Sequence, residues 1–143
     1  MRKNAEKFSQ SESLGEAEGL KQLLVEAVNR GIGSAMIQLD LDIPEGVSFP
    51  VEPTQLTQLV QSLVSASASV LEEHGEISFT VWAAGETLEI EVADNGPALE
   101  LRPRYLPMAA GTLGAELVWQ NCPQGGAAVT VVVPRVKPKR SAA

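Results

Sequence analysis

The stretch VADNGPALE, residues 92–100, contains the residues best suited to chemistry in this sequence. Asp94, Asn95 and Gly96 close an alternating strand pattern, and Pro97 and Ala98 follow directly. A carboxylate at a strand end can accept a hydrogen bond from a ligand's amino group, and a glycine beside it lets a ligand approach the backbone. Asp, Asn and Gly are also common in turns, where the side chains bond their own backbone. Two interpretations of Asp94 therefore stay open, a ligand-binding carboxylate and a turn-forming one.

Catalytic chemistry has little support elsewhere in the chain. There is one histidine, His74, and one cysteine, Cys122, whereas zinc sites and Ser-His-Asp or Cys-His sets combine several suitable side chains. We therefore predict no catalytic residue and no metal site. A single cysteine cannot form an intramolecular disulfide, and no apolar run follows the basic start of the chain as in a signal sequence, so we expect a cytoplasmic protein.

The negative charge of the chain is concentrated in its middle. The formal net charge is −7 over 143 residues, but residues 15–134 carry sixteen acids and only four bases, a balance of −12. Nucleic acids and anionic lipid surfaces require clustered Lys and Arg, so this distribution predicts no nucleic-acid partner. No run approaches the roughly 18 apolar residues of a membrane span, and we expect no membrane insertion.

Hydrophobic periodicity outlines two helices and a strand in the first half of the chain. An amphipathic helix precedes Gly31 and Gly33, which are predicted to end it. Residues 35–44 alternate with period two, which is typical of a strand with one buried face. A helix of about five turns follows, with Pro53 suited to its first turn and Gly75 predicted to end it.

The second half of the chain predicts two antiparallel hairpins. The first joins EISFTVW to TLEIEVA through the turn AAGE, and the second joins AELVWQ to AAVTVVVP through NCPQGG. The first hairpin is predicted to bury Ile77, Phe79, Val81, Leu88, Ile90 and Val92. Between the hairpins, RPRYLPMAAGTLG is predicted to form one irregular helix broken at Pro107.

The order of these elements predicts the fold class. Helices that alternate with a single strand and two hairpins indicate an α/β (α+β) two-layer sandwich, with helices packed on one face of a mixed, largely antiparallel sheet. We place this domain at residues 15–134. Residues 1–14 and 135–143 are predicted to be flexible tails, the second of them basic.

This order, together with words inside it, resembles the ATP-binding domain of sensor histidine kinases, part of the gyrase and histidine-kinase (GHKL) superfamily with the Bergerat fold. The counterparts of the family's motifs are LDIP (41–44), LTQLVQSLVSAS (56–67), HGEISFTVW (74–82), DNGPA (94–98), LGAELVW (113–119) and QGGAAVTVVVP (124–134). The resemblance covers the chain from Leu20 to Pro134. It implies a nucleotide pocket between the long helix and the DNGPA segment.

The departures from the family's motifs fall in this implied pocket. In its long helix the family places two Asn side chains one turn apart, and the second holds Mg²⁺. Ser62 and Ala66 stand at those positions, and a methyl group cannot ligate a cation that prefers oxygen. In the family's Asp-x-Gly-x-Gly motif, the Asp accepts a hydrogen bond from the adenine amino group. Asp94 and Gly96 are kept here, whereas Ala98 replaces the second glycine.

The implied lid over the pocket is shortened. Only about a dozen residues run from Leu99 to Gly111, and the family's glycine-rich phosphate box has no counterpart among them. Arg102 and Arg104 in this segment are the only cations near the implied phosphate position. We therefore expect no bound cofactor, and binding of ATP with Mg²⁺ is the less favoured alternative.

The sheet face away from the helices is the predicted partner surface. Trp82 is expected there beside Thr80 and Val132, with Val118 or Trp119 nearby. Apolar and aromatic residues on an open sheet face favour a contact surface for another protein or for a second copy of the chain. The alternatives are an ordinary exposed tryptophan and a face covered by the chain's own ends.

These inferences together predict a degenerate histidine-kinase-like ATPase-fold domain that acts as a protein-binding or regulatory module. The two-component-type signalling context comes from the resemblance. The vestigial nucleotide pocket is predicted to contain Ser62, Ala66, Asp94, Gly96, Ala98, Arg102 and Arg104. Two alternatives stay open, a functional ATP-binding domain of sensor-kinase type that transfers a phosphoryl group, and a self-assembling structural protein.

Overall fold

The computed structural model describes residues 17–72 and 74–135 of the chain, with side chains from residue 19 onward. The predicted tails at 1–14 and 135–143 lie outside these residues except for Arg135. The helices are α1 (Ala17–Ile32), α2 (Pro53–Ser69) and α3 (Met108–Leu113), with a 3₁₀ helix at Leu99–Leu101. The strands are β1 (Ile37–Asp42), β2 (Gly75–Ala84), β3 (Thr87–Asp94), β4 (Glu116–Asn121) and β5 (Ala127–Pro134).

The five strands form one mixed sheet in the order β1-β2-β3-β5-β4. β1 pairs with β2 in parallel, and the other three pairings are antiparallel. The helices pack on one face of this sheet, so the predicted α/β two-layer sandwich is confirmed. Both predicted hairpins, β2-β3 and β4-β5, are also present.

The core lies between the sheet and helices α1 and α2. Alternate residues of β2 and β3 enter it, and all six side chains predicted to be inward are at most 2% exposed. They meet the apolar stripe of α2, whose buried members include Leu56, Leu59 and Leu63. Each such side chain contributes about 1.5–3 kcal/mol when it is fully buried, so the stripe fixes which side of α2 faces the sheet.

Helix α2 begins as predicted but ends earlier. Pro53 occupies its first turn, and the carboxylate of Glu52 accepts a hydrogen bond of 2.7 Å from the backbone N–H of Gln55. The helix stops at Ser69, so the prediction that Gly75 ends it was wrong. Gly75 instead begins β2, where a Cβ would lie 2.7 Å from the Cβ of Leu71.

Helix α1 continues through Gly31, which was predicted to end it. Gly33, with φ of +61°, terminates the helix, as was also predicted. The reason for a glycine at 31 is the contact between α1 and α2. A Cβ there would lie 2.8 Å from both the carbonyl oxygen of Gln61 and the Cβ of Val64, so Gly31 lets the two helices approach closely.

The segment between the hairpins has two helical pieces instead of one. After the 3₁₀ turn at Leu99–Leu101 the chain runs without regular structure to Pro107, and α3 occupies Met108–Leu113. Two prolines in this stretch, Pro103 and Pro107, lack the N–H that a continuous helix would need. Gly114, with φ of +70°, caps α3 and leads into β4 as predicted.

Two glycine substitutions test the helix contact. Gly31→Ala is expected to lower the free energy of unfolding by about 1–3 kcal/mol, because the added methyl group overpacks the α1–α2 contact. Gly111→Ala is the matched control, since no atom lies within 4 Å of a Cβ built in α3 at that position. It is expected to raise the free energy of unfolding by up to about 1 kcal/mol. Urea unfolding followed by circular dichroism measures both, and equal effects would contradict the close approach.

Candidate functional site

The carboxylate of Asp94 lies at the end of β3, and its side chain is only 3% exposed. The guanidinium of Arg102 binds it through two parallel hydrogen bonds, Nη1 to Oδ2 at 2.9 Å and Nη2 to Oδ1 at 2.6 Å. The hydroxyl of Ser67 donates to Oδ2 at 2.5 Å, and the backbone N–H of Gly96 donates to Oδ1 at 2.9 Å. Each carboxylate oxygen therefore already accepts two hydrogen bonds from the protein itself.

Three elements bring these partners together. Ser67 stands on the buried stripe of α2, four residues after Leu63, and is itself buried. Arg102 follows the 3₁₀ turn, and its Nε donates to the carbonyl oxygen of Pro97 at 2.8 Å. This third hydrogen bond fixes the plane of the guanidinium, and a fixed planar fork is what makes an arginine–carboxylate pair strong and directional.

The retained Gly96 makes room for Arg102. A Cβ at that position would lie 3.2 Å from Nη2 of Arg102 and 3.3 Å from Oδ1 of Asp94. It would also lie 2.8 Å from the Cδ2 of Leu71. The glycine that permits ligand approach in the related motif therefore accommodates an internal side chain in this protein.

Burial and pairing act in opposite directions on the pKa of Asp94. Burial by itself raises the pKa of this carboxyl. The hydrogen bonds from Arg102, Ser67 and Gly96, together with the positive charge of Arg102, outweigh burial and lower the pKa below its ordinary value of 3.8. Asp94 is therefore an ionised acceptor whose hydrogen-bonding positions are filled from within.

A cavity of about 1050 Å³ lies beside this pair, between α2, the ends of β3 and β5 and the segment 99–106. Among the residues that line it are five of the predicted pocket residues, Ser62, Ala66, Asp94, Arg102 and Arg104. Gly96 lines a smaller neighbouring recess, and Ala98 lines neither. The backbone carbonyl of Ala98 instead accepts the hydrogen bond that closes the 3₁₀ turn, from the N–H of Leu101 at 2.9 Å.

Asn121, at the end of β4, attaches the 3₁₀ turn to the sheet. Its Oδ1 accepts a hydrogen bond from the backbone N–H of Leu99 at 2.8 Å, and its Nδ2 donates to Glu100 at 3.0 Å. The second bond lowers the pKa of the Glu100 carboxyl. Beyond this anchor, the large apolar side chains of Leu101, Leu106 and Met108 are 77–91% exposed.

The sequence reasoning missed Ser67 and Asn121. Ser67 had a visible signal, because it is a polar residue at a stripe position of an amphipathic helix, where a buried hydroxyl requires a partner. Asn121 had none, since its contact depends on how the 3₁₀ turn crosses the end of β4.

The predicted partner surface is placed largely as expected. Thr80, Trp82, Val118 and Val132 lie on the open face of the sheet, with Trp82 37% and Val118 51% exposed. Trp119 lies on the opposite face, where it packs against the core and lines the cavity. Successive residues of a strand point to opposite faces, so only one of Val118 and Trp119 can belong to the surface.

The fold and the site together define a class, a two-layer α/β sandwich with a cavity between its longest helix, α2, and a short covering segment, residues 99–106. Comparison with protein-family models finds no match, and comparison with curated proteins finds none either. Solved structures do match.

Three of the matching structures come from histidine kinases. The catalytic domain of histidine kinase ThkA, in a nucleotide-free form, has 17% identity and a TM-score of 0.65 over 84% of this chain and 96% of its own. The mycobacterial sensor histidine kinase MprB has 13% identity and a TM-score of 0.64, over 80% and 95%. The cytoplasmic segment of histidine kinase QseC has 22% identity and a TM-score of 0.59, over 82% and 71%. The chain therefore has the histidine-kinase-like ATPase fold, as the resemblance implied.

Loss of the guanidinium is expected to destabilise the fold strongly. Arg102→Ala leaves a buried carboxylate without its counter-charge, which costs about 3 kcal/mol or more. Arg102→Lys keeps the charge but not the fork, so an intermediate loss is expected. Arg104→Ala, in the same segment but exposed, is the matched control and is expected to change the free energy of unfolding by at most about 0.5 kcal/mol. Similar losses for Arg102→Ala and Arg104→Ala in chemical denaturation would contradict the pairing.

The lowered pKa of Asp94 also predicts a pH dependence. Because the pKa is lower in the folded state than in the unfolded state, ionised Asp94 stabilises the fold above pH 3.8, and this contribution is lost as the pH falls through the lowered pKa. The difference in unfolding free energy between wild type and Asp94→Asn is therefore expected to shrink as the pH falls below 3.8. Asp42→Asn, which removes a carboxylate at an exposed position of β1, is measured alongside as the control. A difference for Asp94→Asn that stays constant down to pH 2 would contradict the assignment.

Proposed function

We propose that this chain is a histidine-kinase-like ATPase-fold domain whose nucleotide site has degenerated, and that it acts as a protein-binding or regulatory module in two-component-type signalling. The observation that carries the proposal is the occupied carboxylate of Asp94. In the related motif this carboxylate accepts a hydrogen bond from adenine. Here Arg102, Ser67 and Gly96 use its acceptor positions, so an adenine amino group would first have to displace a buried ion pair.

The phosphate side of the cavity supports the same conclusion. Ser62 and Ala66 line the cavity at the positions of the family's two Asn residues, and an alanine supplies no oxygen for Mg²⁺. Of the two lid cations, Arg102 is bound to Asp94, which leaves the exposed Arg104. A triphosphate brings several negative charges, and phosphoryl transfer depends on metal and cationic groups that neutralise them. We infer that ATP, with or without Mg²⁺, is not a resident ligand.

The similarity to solved structures of histidine kinases supports the proposed setting of the module. We infer a cytoplasmic signalling protein whose partner is another protein of such a pathway or a second copy of this chain. None of the helices within residues 17–72 and 74–135 is long and apolar enough to cross a membrane. The exposed Leu101, Leu106 and Met108 beside the cavity are consistent with a role in protein contacts.

One observation favours the alternative, a functional ATP-binding domain. The cavity of about 1050 Å³ is large enough for a small-molecule ligand. Movement of Arg102 would also free the acceptor positions of Asp94. The two functions therefore differ in a measurable quantity, which is nucleotide occupancy at Asp94.

Titration with ATP and ADP, with and without Mg²⁺ and followed by amide-resolved NMR, tests the proposal. At millimolar nucleotide the wild-type amides of Asp94, Gly96 and Ser62 are expected not to shift in a saturable way. Adenosine, which has no phosphates, is expected to shift the amides around Asp94 only in Arg102→Ala, where the two acceptor positions that Arg102 occupies are free. The amide spectrum of that variant shows at the same time whether it is folded.

Saturable shifts of wild-type Asp94, Gly96 and Ser62 would replace the proposal with the functional ATP-binding domain. If those shifts needed Mg²⁺, a metal ligand other than residue 66 would have to exist. Arg104→Ala distinguishes adenine recognition from attraction of the phosphates alone. Shifts that are seen in the wild type but vanish in this variant would indicate that Arg104 attracts the phosphates without recognition of adenine.

A further inference from the structure

The open face of the sheet carries an ordered set of acidic side chains. Each row across the strands follows from the register, and one row reads Asp42, Thr80, Glu91, Thr130 and Val118. The next row reads Trp82, Glu89, Val132 and Glu116. Glu89 and Glu91 of β3 are therefore flanked on both sides by neutral side chains, Thr80 and Trp82 of β2 and Thr130 and Val132 of β5.

This face contains no positive charge among the described strands. Its six carboxylates belong to Asp40, Asp42, Glu76, Glu89, Glu91 and Glu116, and the five strands contain no Lys, Arg or His. None of these carboxylates forms an ion pair with another described residue. Four of the five described Lys and Arg side chains are paired elsewhere, in Lys21–Glu45, Arg30–Glu26, Arg102–Asp94 and Arg135–Glu86.

The geometry points to this face as the docking surface for a basic, extended segment of another protein, an inference that rests on the proposed protein-binding function and specifies its partner. Glu89 and Glu91 are alternate residues of β3, so their side chains stand about 7 Å apart on one face. Alternate residues of an extended segment have the same spacing. Lys or Arg at every second position would thus meet both carboxylates.

The neutral side chains beside Glu89 add apolar contacts that suit the same basic segment. Trp82 is directly opposite Glu89 on the neighbouring strand, and Val132 flanks Glu89 on the other side. A guanidinium that pairs with Glu89 can also lie on the indole face of Trp82, where cation–π attraction adds to the ion pair. The aliphatic stems of Arg or Lys would cover Val132 and Val118. A partner with this chemistry can pair with the carboxylates and at the same time cover the apolar side chains of the face.

The same charges disfavour other occupants. A second copy of the chain would place its own carboxylates against these, and facing like charges oppose association. Nucleic acids and anionic membranes are repelled for the same reason. A basic polypeptide is the macromolecule that the face attracts.

The test uses the full chain and a defined probe, an acetylated and amidated peptide of alternating arginine and alanine. In an amide-resolved NMR titration, the shifts are expected to centre on Trp82, Glu89, Glu91, Thr130 and Val132. A peptide of alternating glutamate and alanine is expected to cause none. Because the attraction is electrostatic, the affinity is expected to fall as ionic strength rises from about 0.01 M to about 0.15 M.

Two double variants with the same change in net charge separate this face from general attraction to an acidic protein. Glu89→Gln with Glu91→Gln is expected to weaken peptide binding by about fivefold or more. Glu26→Gln with Glu72→Gln, at exposed positions outside the sheet, is expected to weaken it by less than about twofold. Equal losses in the two variants, or shifts centred on the cavity residues, would overturn the inference.

Other occupants give distinct results. If the peptide binds only after residues 136–143, which include Lys137, Lys139 and Arg140, are removed, the face belongs to the chain's own basic segment and the inference fails. A dimer in sedimentation equilibrium that Glu89→Gln with Glu91→Gln strengthens would assign the face to a second copy and would also overturn it. The nucleotide titration decides the proposed function separately, since peptide binding at the face does not require an occupied or empty cavity.

Discussion

The buried pair of Asp94 and Arg102 holds together parts of the chain that no regular element connects. It links the end of β3 to the covering segment, and through Ser67 it links both to α2. A buried ion pair is costly unless its remaining hydrogen-bonding groups are satisfied. Here the hydroxyl of Ser67, the N–H of Gly96 and the carbonyl of Pro97 satisfy them, and the path of residues 95–102 follows from that requirement.

The covering segment depends on this pair and on one further anchor. Its 3₁₀ turn is bound to β4 through Asn121 on one side and leads into Arg102 on the other. Between Arg102 and α3 the segment has no regular structure and carries exposed apolar side chains. The segment is short enough for the pair to form within it. The chain leaves β3 after Asp94 and brings Arg102 back to the same carboxylate only a few residues later.

Periodicity predicted the parts of the fold that local patterns determine. Ile77, Phe79 and Val81 were placed correctly because a half-buried strand alternates with period two. Gly75 was wrongly expected to end α2, and Gly31 was wrongly expected to share the end of α1 with Gly33, which does end that helix. At Gly31 and Gly75 the glycine instead makes room for a close contact, with α2 and with Leu71 respectively. Propensity alone does not distinguish these two causes.

The site was only partly predictable for a related reason. The resemblance to the ATP-binding domain of histidine kinases implied a pocket that contains Ser62, Ala66, Asp94 and Arg104, and these four residues do line one cavity. It gave no means to assign Arg102 to Asp94 instead of to a ligand, since either partner satisfies a guanidinium. That assignment depends on the turn at Leu99–Leu101, whose direction is set by contacts with β4.

Under the proposed function, Arg102 would also act as an internal competitor for any ligand that binds the carboxylate of Asp94. Any adenine-like ligand can bind Asp94 only in the fraction of molecules in which the arginine has moved away. If that opening costs about 3 kcal/mol, the competent fraction is on the order of one in 150, and the apparent Kd of such a ligand rises by the same factor. Because the arginine belongs to the same chain, its local concentration at Asp94 does not fall when the protein is diluted. A ligand can therefore compete with it only at a higher ligand concentration. An arginine eight residues along the chain would in this way lower the affinity of the cavity for any ligand that needs the carboxylate of Asp94.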